Sequence, residues 1–124
     1  MVCDPHVPVS LRIRVHHAGL FAFGPGKADL LEAIEACQSI SGAGRSLGLS
    51  YTKTRRLLDE LNGSFREPMV ESARGGAQGG RAWVTPTGQR VLAAFRAMER
   101  RALEVVQEDL GTILAELAPP AATR

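Results

Sequence analysis

Two helical periods joined by almost no connector, a glycine-rich hairpin behind them and a long amphipathic segment at the end predict a mainly α (α+β) fold. That order specifies a winged helix-turn-helix with a two-stranded wing and a long C-terminal dimerisation helix. A length of 124 residues suits one domain. The divisions expected are an N-terminal arm over 1–10, the winged helix-turn-helix over 11–86, the dimerisation helix over 87–117 and a flexible tail over 118–124.

The arm carries Pro5 and Pro8 and reads as loose chain. Next, LRIRVHH alternates: Leu11, Ile13 and Val15 on one side, Arg12, Arg14 and His16 on the other, the pattern of a half-buried strand over 11–17. Gly24-Pro25-Gly26 interrupts it. From Lys27 the period turns helical. Leu30, Leu31, Ile34 and Cys37 recur at three and four, which places Cys37 in the core, while Asp29 and Glu32 suit the positive end of the helix dipole.

A short second helix is expected from about Ser41 to Leu47, capped by Ser39 or Ser41 and stopped by Gly48. A third, capped by Ser50, runs to about Asn62, where Asn-Gly-Ser marks a turn. Leu49 and Ser50 leave almost no connector between the two. Gly44 is small enough for close helix approach, Gly48 suits a strained turn, and Leu47, Leu49 and Leu57 can pin the pair. The pattern is that of a helix-turn-helix, although a tight helical hairpin without a nucleic-acid role shares it.

Two short strands follow, Pro68–Ala73 and Arg81–Thr85, with RGGAQGG at the tip between them. Thr85 caps the last helix and Pro86 takes its first position, where a missing N–H costs nothing. Its apolar residues run Val91, Phe95, Met98, Ala102, Val105, then drift onto Leu103, Val106, Leu110, Ile113 and Leu117. One small core can bury only one of these stripes. Val106, Leu110, Ile113 and Leu117 are therefore expected to pair with a second copy.

The glycines raise the question of phosphate. A P-loop needs a lysine and a hydroxyl residue after its last glycine, opening a helix; a dinucleotide fingerprint also runs into a helix. Here Arg81 opens a strand, so both readings fail. What remains is a nucleic-acid backbone, approached by the N–H groups of Gly75, Gly76 and Gly79 with counter-charge from Arg74 and Arg81. A solvated hairpin that touches nothing is the alternative.

Charge distribution favours the backbone. The net charge is only +2, yet residues 45–101 hold eleven basic side chains against five acidic ones. On a helical wheel of the third helix, Tyr51, Thr54, Leu57, Leu58 and Leu61 share one side. Thr52, Lys53, Arg56 and, at the edges, Arg55 and Asp59 share the other. Arg56 is the candidate for bidentate contact with guanine, and Lys53 for base or phosphate. Ser50 and Thr52 offer short hydroxyls. Arg55 either reaches a base or pairs with Asp59 four residues on.

Other classes find little support. Composition, 44% hydrophobic and 23% charged, is that of a soluble globular chain without a membrane span. The N-terminus lacks a secretory pattern, and Cys3 and Cys37 have no paired spacing, which together point to a reducing cytoplasm. His16 and His17 are adjacent on a strand and face opposite ways. Cys3 and His6 could join one of them only if the arm folded back, so no metal site is expected. No catalytic set stands out: the chain does not read as an enzyme, and no cofactor is implied.

LFAFGPGKADLLEAIEACQSISGAGRSLGLSYTKTRRLLDELN and VESARGGAQGGRAWVTPTGQRVLAAF carry a resemblance. Over roughly 11–117 the chain resembles the N-terminal domain of the ModE family of bacterial molybdate-responsive repressors and, more distantly, the winged helix of LysR-type regulators. SISGAG, LGLSYTKT and the RGGAQGG wing followed by TPTGQR are the distinctive parts. The resemblance implies a homodimeric transcription factor, concerned with molybdenum homeostasis, whose last helix makes the dimer and whose third helix reads a palindromic operator. Family members continue into C-terminal molybdate-binding domains, and this chain ends about where they would begin, so sensing through them is not expected; any small-molecule effector is unknown. Two other classes stay open: a sensor or carrier whose dimer groove holds an oxyanion or molybdenum cofactor, and a protein-interaction winged helix. The basic centre, with Lys53 and Arg56 exposed on one helix, favours double-stranded DNA.

Overall fold

The computed structural model describes residues 8–74 and 80–121. The chain opens with a hairpin: β1 (Val15–His17) pairs antiparallel with β2 (Leu20–Phe23). Ala18 and Gly19 join them, both at positive φ (51° and 79°). Two left-handed residues in succession match the right-handed twist of the flanking strands, which ordinary turns do not. The strand expected over 11–17 is thus shorter and has a partner that the sequence reading lacked. LFAF hides its strand character by being apolar throughout, and only its inner end, Ala22 and Phe23, is buried.

Helix α1 (Pro25–Cys37) starts on Pro25 and ends at Gln38, whose left-handed backbone (φ 53°) lets its N–H bond the Ile34 carbonyl at 2.8 Å. Ala28, Leu30, Leu31 and Ile34 are buried. Cys37 is not: it is exposed, against expectation, because the last turn, residues 35–38, projects past the core. Asp29 and Glu32 do not serve the helix dipole either. Both are gathered by Arg96 of the fourth helix.

Helices α2 (Ile40–Ser46) and α3 (Tyr51–Ser64) are each capped by a serine. Ser39 Oγ accepts from Gly42 N at 3.0 Å and Ser50 Oγ from Lys53 N at 3.1 Å. Gly48 turns the chain at φ 71°, and Leu49 N bonds the Gly44 carbonyl at 2.8 Å. Leu49 and Leu57 are half-buried, while Leu47 stays exposed and pins little. The turn expected at Asn62 is absent: α3 continues through Gly63 and Ser64. Asn62 spends its side chain elsewhere. Its Oδ1 accepts from Met69 N (2.9 Å) and Val70 N (3.1 Å), and its Nδ2 donates to the Val70 carbonyl (3.1 Å).

β3 (Val70–Ala73) and β4 (Arg81–Val84) form the expected antiparallel pair, Val70 opposite Val84 and Ala73 opposite Arg81. Thr85 then caps α4 (Pro86–Val105), accepting from Gly88 N at 3.0 Å while its hydroxyl donates to the Pro68 carbonyl at 2.8 Å. The single long helix expected over 87–117 is two. α4 stops at Val105, and α5 (Gln107–Glu116) begins beyond Val106. Two adjacent β-branched valines favour helix weakly, and the Gln107 amide takes the Leu103 carbonyl at 2.8 Å across the break. The drift from one apolar stripe to another coincides with this break.

One core joins these elements. Phe23 of β2 meets Phe95 of α4 edge-on at 5.0 Å between centroids, amid Leu30, Leu31, Ile34, Leu61 and Met69. Arg96 straps α4 to α1 outside it, donating to Asp29 (2.8 Å), Glu32 (2.6 Å) and Glu99 (2.9 Å). The hydrogen bond to Glu32 chiefly raises the Arg96 pKa; burial opposes, and Glu99 and Asp29 add to the rise. Glu99 is 3% exposed, and its Oε2 has no partner among the described residues. No helix of the described residues is long and apolar enough to cross a membrane.

Candidate nucleic-acid interface

α3 buries Thr54, Leu58 and Leu61 and turns Thr52, Lys53, Arg55, Arg56 and Asp59 to solvent. Thr54 belongs among apolar neighbours because its hydroxyl donates back to the Ser50 carbonyl at 2.8 Å. Tyr51 departs from the expected wheel: it is 61% exposed. Helical side chains lean toward the N-terminus, so a residue of the first turn overhangs the start of α3 and misses the core.

Two of the exposed cations are already partnered. Arg55 pairs with Asp59 at 3.5 Å and Arg56 with Glu60 at 3.9 Å, both at i,i+4. Exposed pairs of this kind are worth about 0.3–0.5 kcal/mol, little enough to exchange for a phosphate or a base edge. Lys53 has no carboxylate within reach among the described residues.

The wing comes alongside. A cleft of about 490 Å³ lies between β3–β4 and the starts of α2 and α3, lined by Ser39, Ser41, Tyr51, Arg55, Arg74 and Arg81. Arg81 is steadied at its rear, its guanidinium donating to Gln38 Oε1 at 3.4 Å while Ala82 N donates to the Gln38 carbonyl at 3.1 Å. Gly80 must be glycine, since a Cβ there would lie 2.7 Å from the Ala73 carbonyl oxygen. Gly75, Gly76 and Gly79 lie outside the described residues. The fold therefore brings Arg55, Arg74 and Arg81 together, with the hydroxyls of Ser39, Ser41, Tyr51 and Ser72 among them.

No family model matches the sequence. The fold is similar to a crystal structure of a MarR-family transcription regulator, with a TM-score of 0.55 over 68% of this chain and 56% of that one, at 24% identity. In sequence the chain is 39% identical over 92 residues to the molybdenum-pterin-binding protein MopA of Rhodobacter capsulatus. It is 38% identical over 95 residues to the molybdenum transport protein ModE of Azotobacter vinelandii. It is 31% identical over 106 residues, 80% of its own length, to the DNA-binding transcriptional dual regulator ModE of Escherichia coli K12. Over this stretch the chain is a homologue of ModE.

Both the ModE resemblance and the mainly α winged-helix fold class of the sequence reading hold. The chain spans 35% of the length of MopA and of the Azotobacter ModE, and 40% of the Escherichia ModE. The spacing of the sequence offers no sign that Ser41 and Tyr51 line the wing cleft or that Gln38 holds Arg81 from behind. Ser39 stands out only as a cap. α5 buries none of its residues: Ile113 is 58% exposed and Leu110 half-buried, and of the residues that flank it Leu117 is 62% exposed and Val106 half-buried. Among the described residues, no three His, Cys, Asp or Glu side chains cluster as metal ligands; Cys3 and His6 lie outside the described residues.

Proposed function

We propose that the chain is a sequence-specific, DNA-binding transcriptional regulator of the ModE type, cytoplasmic and without catalytic activity, acting as a homodimer on a palindromic operator. One observation carries this reading. The exposed crest of α3, with Thr52 and Arg56 and with Lys53 on its flank, stands opposite its buried Thr54–Leu58–Leu61 face and beside a cleft walled by three arginines. A helix so mounted presents its first turns to a major groove while the wing meets the backbone. In this arrangement Arg56 reads guanine, Lys53 takes a base or phosphate, and Ser50 and Thr52 supply hydroxyl contacts. Arg74 and Arg81, with Gly75, Gly76 and Gly79 between them, grip phosphate. Arg55 is available to either once released from Asp59.

The exposed Ile113 and Leu117 and the half-buried Val106 and Leu110, in and beside α5, support a homodimer through these four residues. Two copies would place their α3 helices in successive major grooves, roughly 34–36 Å apart. Selection of bound duplexes from a random pool, followed by footprinting, tests the proposal. A two-fold symmetric site protected over two half-sites is the expected result; recovery of unrelated sequences would overturn it. The name of MopA favours a second reading, in which the dimer carries an oxyanion or molybdenum cofactor. Molybdenum retained by the purified protein at one equivalent, with no duplex bound, would establish that instead.

A further inference from the structure

We propose a second phosphate clamp, made by Arg12, Arg14 and Lys53, on the flank of α3 that faces away from the wing. It rests on the DNA-binding reading of α3 and adds a backbone contact to it.

The geometry begins with two clefts. Tyr51 and Arg55, one helical turn apart, line the cleft beside the wing. Lys53 and Leu57, also one turn apart, line a different cleft of about 350 Å³, between the β1–β2 hairpin, the start of α1 and the α2–α3 turn. At about 100° per residue, positions 53 and 55 project to opposite flanks of the helix, with Thr52 and Arg56 on the crest between. A helix seated in a major groove has a phosphate strand on either side. The wing cleft faces one strand, and the hairpin cleft faces the other.

This second cleft is basic as well. Its walls include Arg12, Arg14, Lys27, Asp29 and Lys53. Lys27 is buried and committed inward, 3.5 Å from Glu60 Oε2 and 3.4 Å from the Ala22 carbonyl. Asp29 is committed to Arg96 at 2.8 Å. What remains is Arg12, Arg14 and Lys53, none with a carboxylate in ion-pair reach among the described residues. In the wing cleft Arg55 is paired with Asp59, while Arg74 and Arg81 are in no ion pair among the described residues. Three cations without a carboxylate partner among the described residues, set around one concavity, focus a positive potential there, and a polyanion relieves it.

Arg14 is also held in position. Its guanidinium carbon lies 4.4 Å over the centroid of the Phe21 ring. The ring in turn rests against Gly24, where a Cβ would come within 2.8 Å of its Cζ. The cation–π contact restrains the guanidinium, so less side-chain freedom is lost when an acceptor arrives. A free oxyanion has the same chemistry. The placement beside the crest of α3, in mirror relation to the wing, favours the DNA backbone.

The test titrates the full chain with labelled duplex at several salt concentrations between about 50 and 200 mM. Arg12→Gln/Arg14→Gln is compared with Arg12→Lys/Arg14→Lys and with wild type, thermal melts serving as fold controls. Removing the two guanidinium charges should weaken binding to the selected and a scrambled duplex alike. The slope of log K against log salt should fall by about one unit for each phosphate left unneutralised, and the lysine variant should restore it. Phosphates outside the groove occupied by α3 should also lose ethylation interference in the glutamine variant. An unchanged slope, with Arg56→Ala still impairing recognition of the selected duplex, overturns the clamp and leaves the role of α3 intact. Inorganic phosphate saturating the cleft at an unchanged DNA slope makes it a small-anion site and also overturns the clamp. A wild-type chain that binds no duplex overturns both.

Discussion

Thr54 occupies the space that Gly44 leaves open: a Cβ built on Gly44 would collide with the threonine Oγ1 and lie 3.1 Å from its Cβ. The approach of α2 to α3 that aims the exposed crest depends on this pair. Gly44→Ala gains helix propensity of about 1 kcal/mol but overpacks a tight contact, at about 1–3 kcal/mol. Net destabilisation in chemical denaturation is expected, and Thr54→Ala in the same chain should recover part of it. A stabilised Gly44→Ala protein would contradict the packing.

Asn62 ties the end of α3 to the first strand of the wing by three hydrogen bonds. Asn62→Ala leaves two amides and one carbonyl of a part-buried segment without side-chain partners, a loss of about 1–3 kcal/mol. Hydrogen exchange at Met69 and Val70 should accelerate with it. A change in stability below about 0.5 kcal/mol, the range of ordinary surface substitutions, would mean that water replaces the amide there.

Arg96 and Glu99 form a half-sheltered ion pair on one helix, with Arg96 side chain 24% and Glu99 side chain 4% exposed. Arg96→Ala strands the carboxylate, and after discounting for solvent at Arg96 the cost is about 2 kcal/mol. Replacing both residues by leucine should cost less than Arg96→Ala alone. Because the Arg96 pKa is raised on folding, its stabilisation is fully present below the ordinary arginine range and fades only as pH rises beyond it. Urea denaturation of the two variants beside the wild type measures the order; equal losses would contradict the pairing.

Sedimentation addresses α5. Leu110→Glu with Ile113→Glu should convert a dimer to a monomer at micromolar concentration, with the winged-helix core unaffected, because α5 buries none of its residues within the chain. A double variant that stays dimeric places the interface elsewhere.

Base and backbone contacts separate by their dependence on sequence. Arg56→Ala should cost about 1–3 kcal/mol at the preferred site and relax selection at one base position. Arg74→Ala with Arg81→Ala should weaken preferred and scrambled duplexes equally. Discrimination that survives Arg56→Ala unchanged would reassign that residue to phosphate.

Legibility in the sequence followed the range of the interactions. Caps at Ser39, Ser50 and Thr85, the turn at Gly48 and the close approach at Gly44 depend on neighbours in the chain, and all stand in the structure. Asn62 was misread because Asn-Gly-Ser is a turn signal unless a strand eight residues on takes the amide. Cys37 fits the helical period of α1 yet is exposed, since periodicity marks a face and not where the core stops. The cations of α3 were visible at helical spacing. The grouping of Arg12 and Arg14 with Lys53 was not, because it depends on a hairpin whose second strand carries no alternation.

The most direct test of DNA reading by α3 is the affinity of the wild-type chain for its selected duplex and for a scrambled one, across several salt concentrations. Binding should weaken steeply with salt for both, and at physiological salt the selected duplex should bind at least about 10³-fold more tightly. Equal affinity for the two duplexes at every salt concentration would contradict a sequence-reading helix.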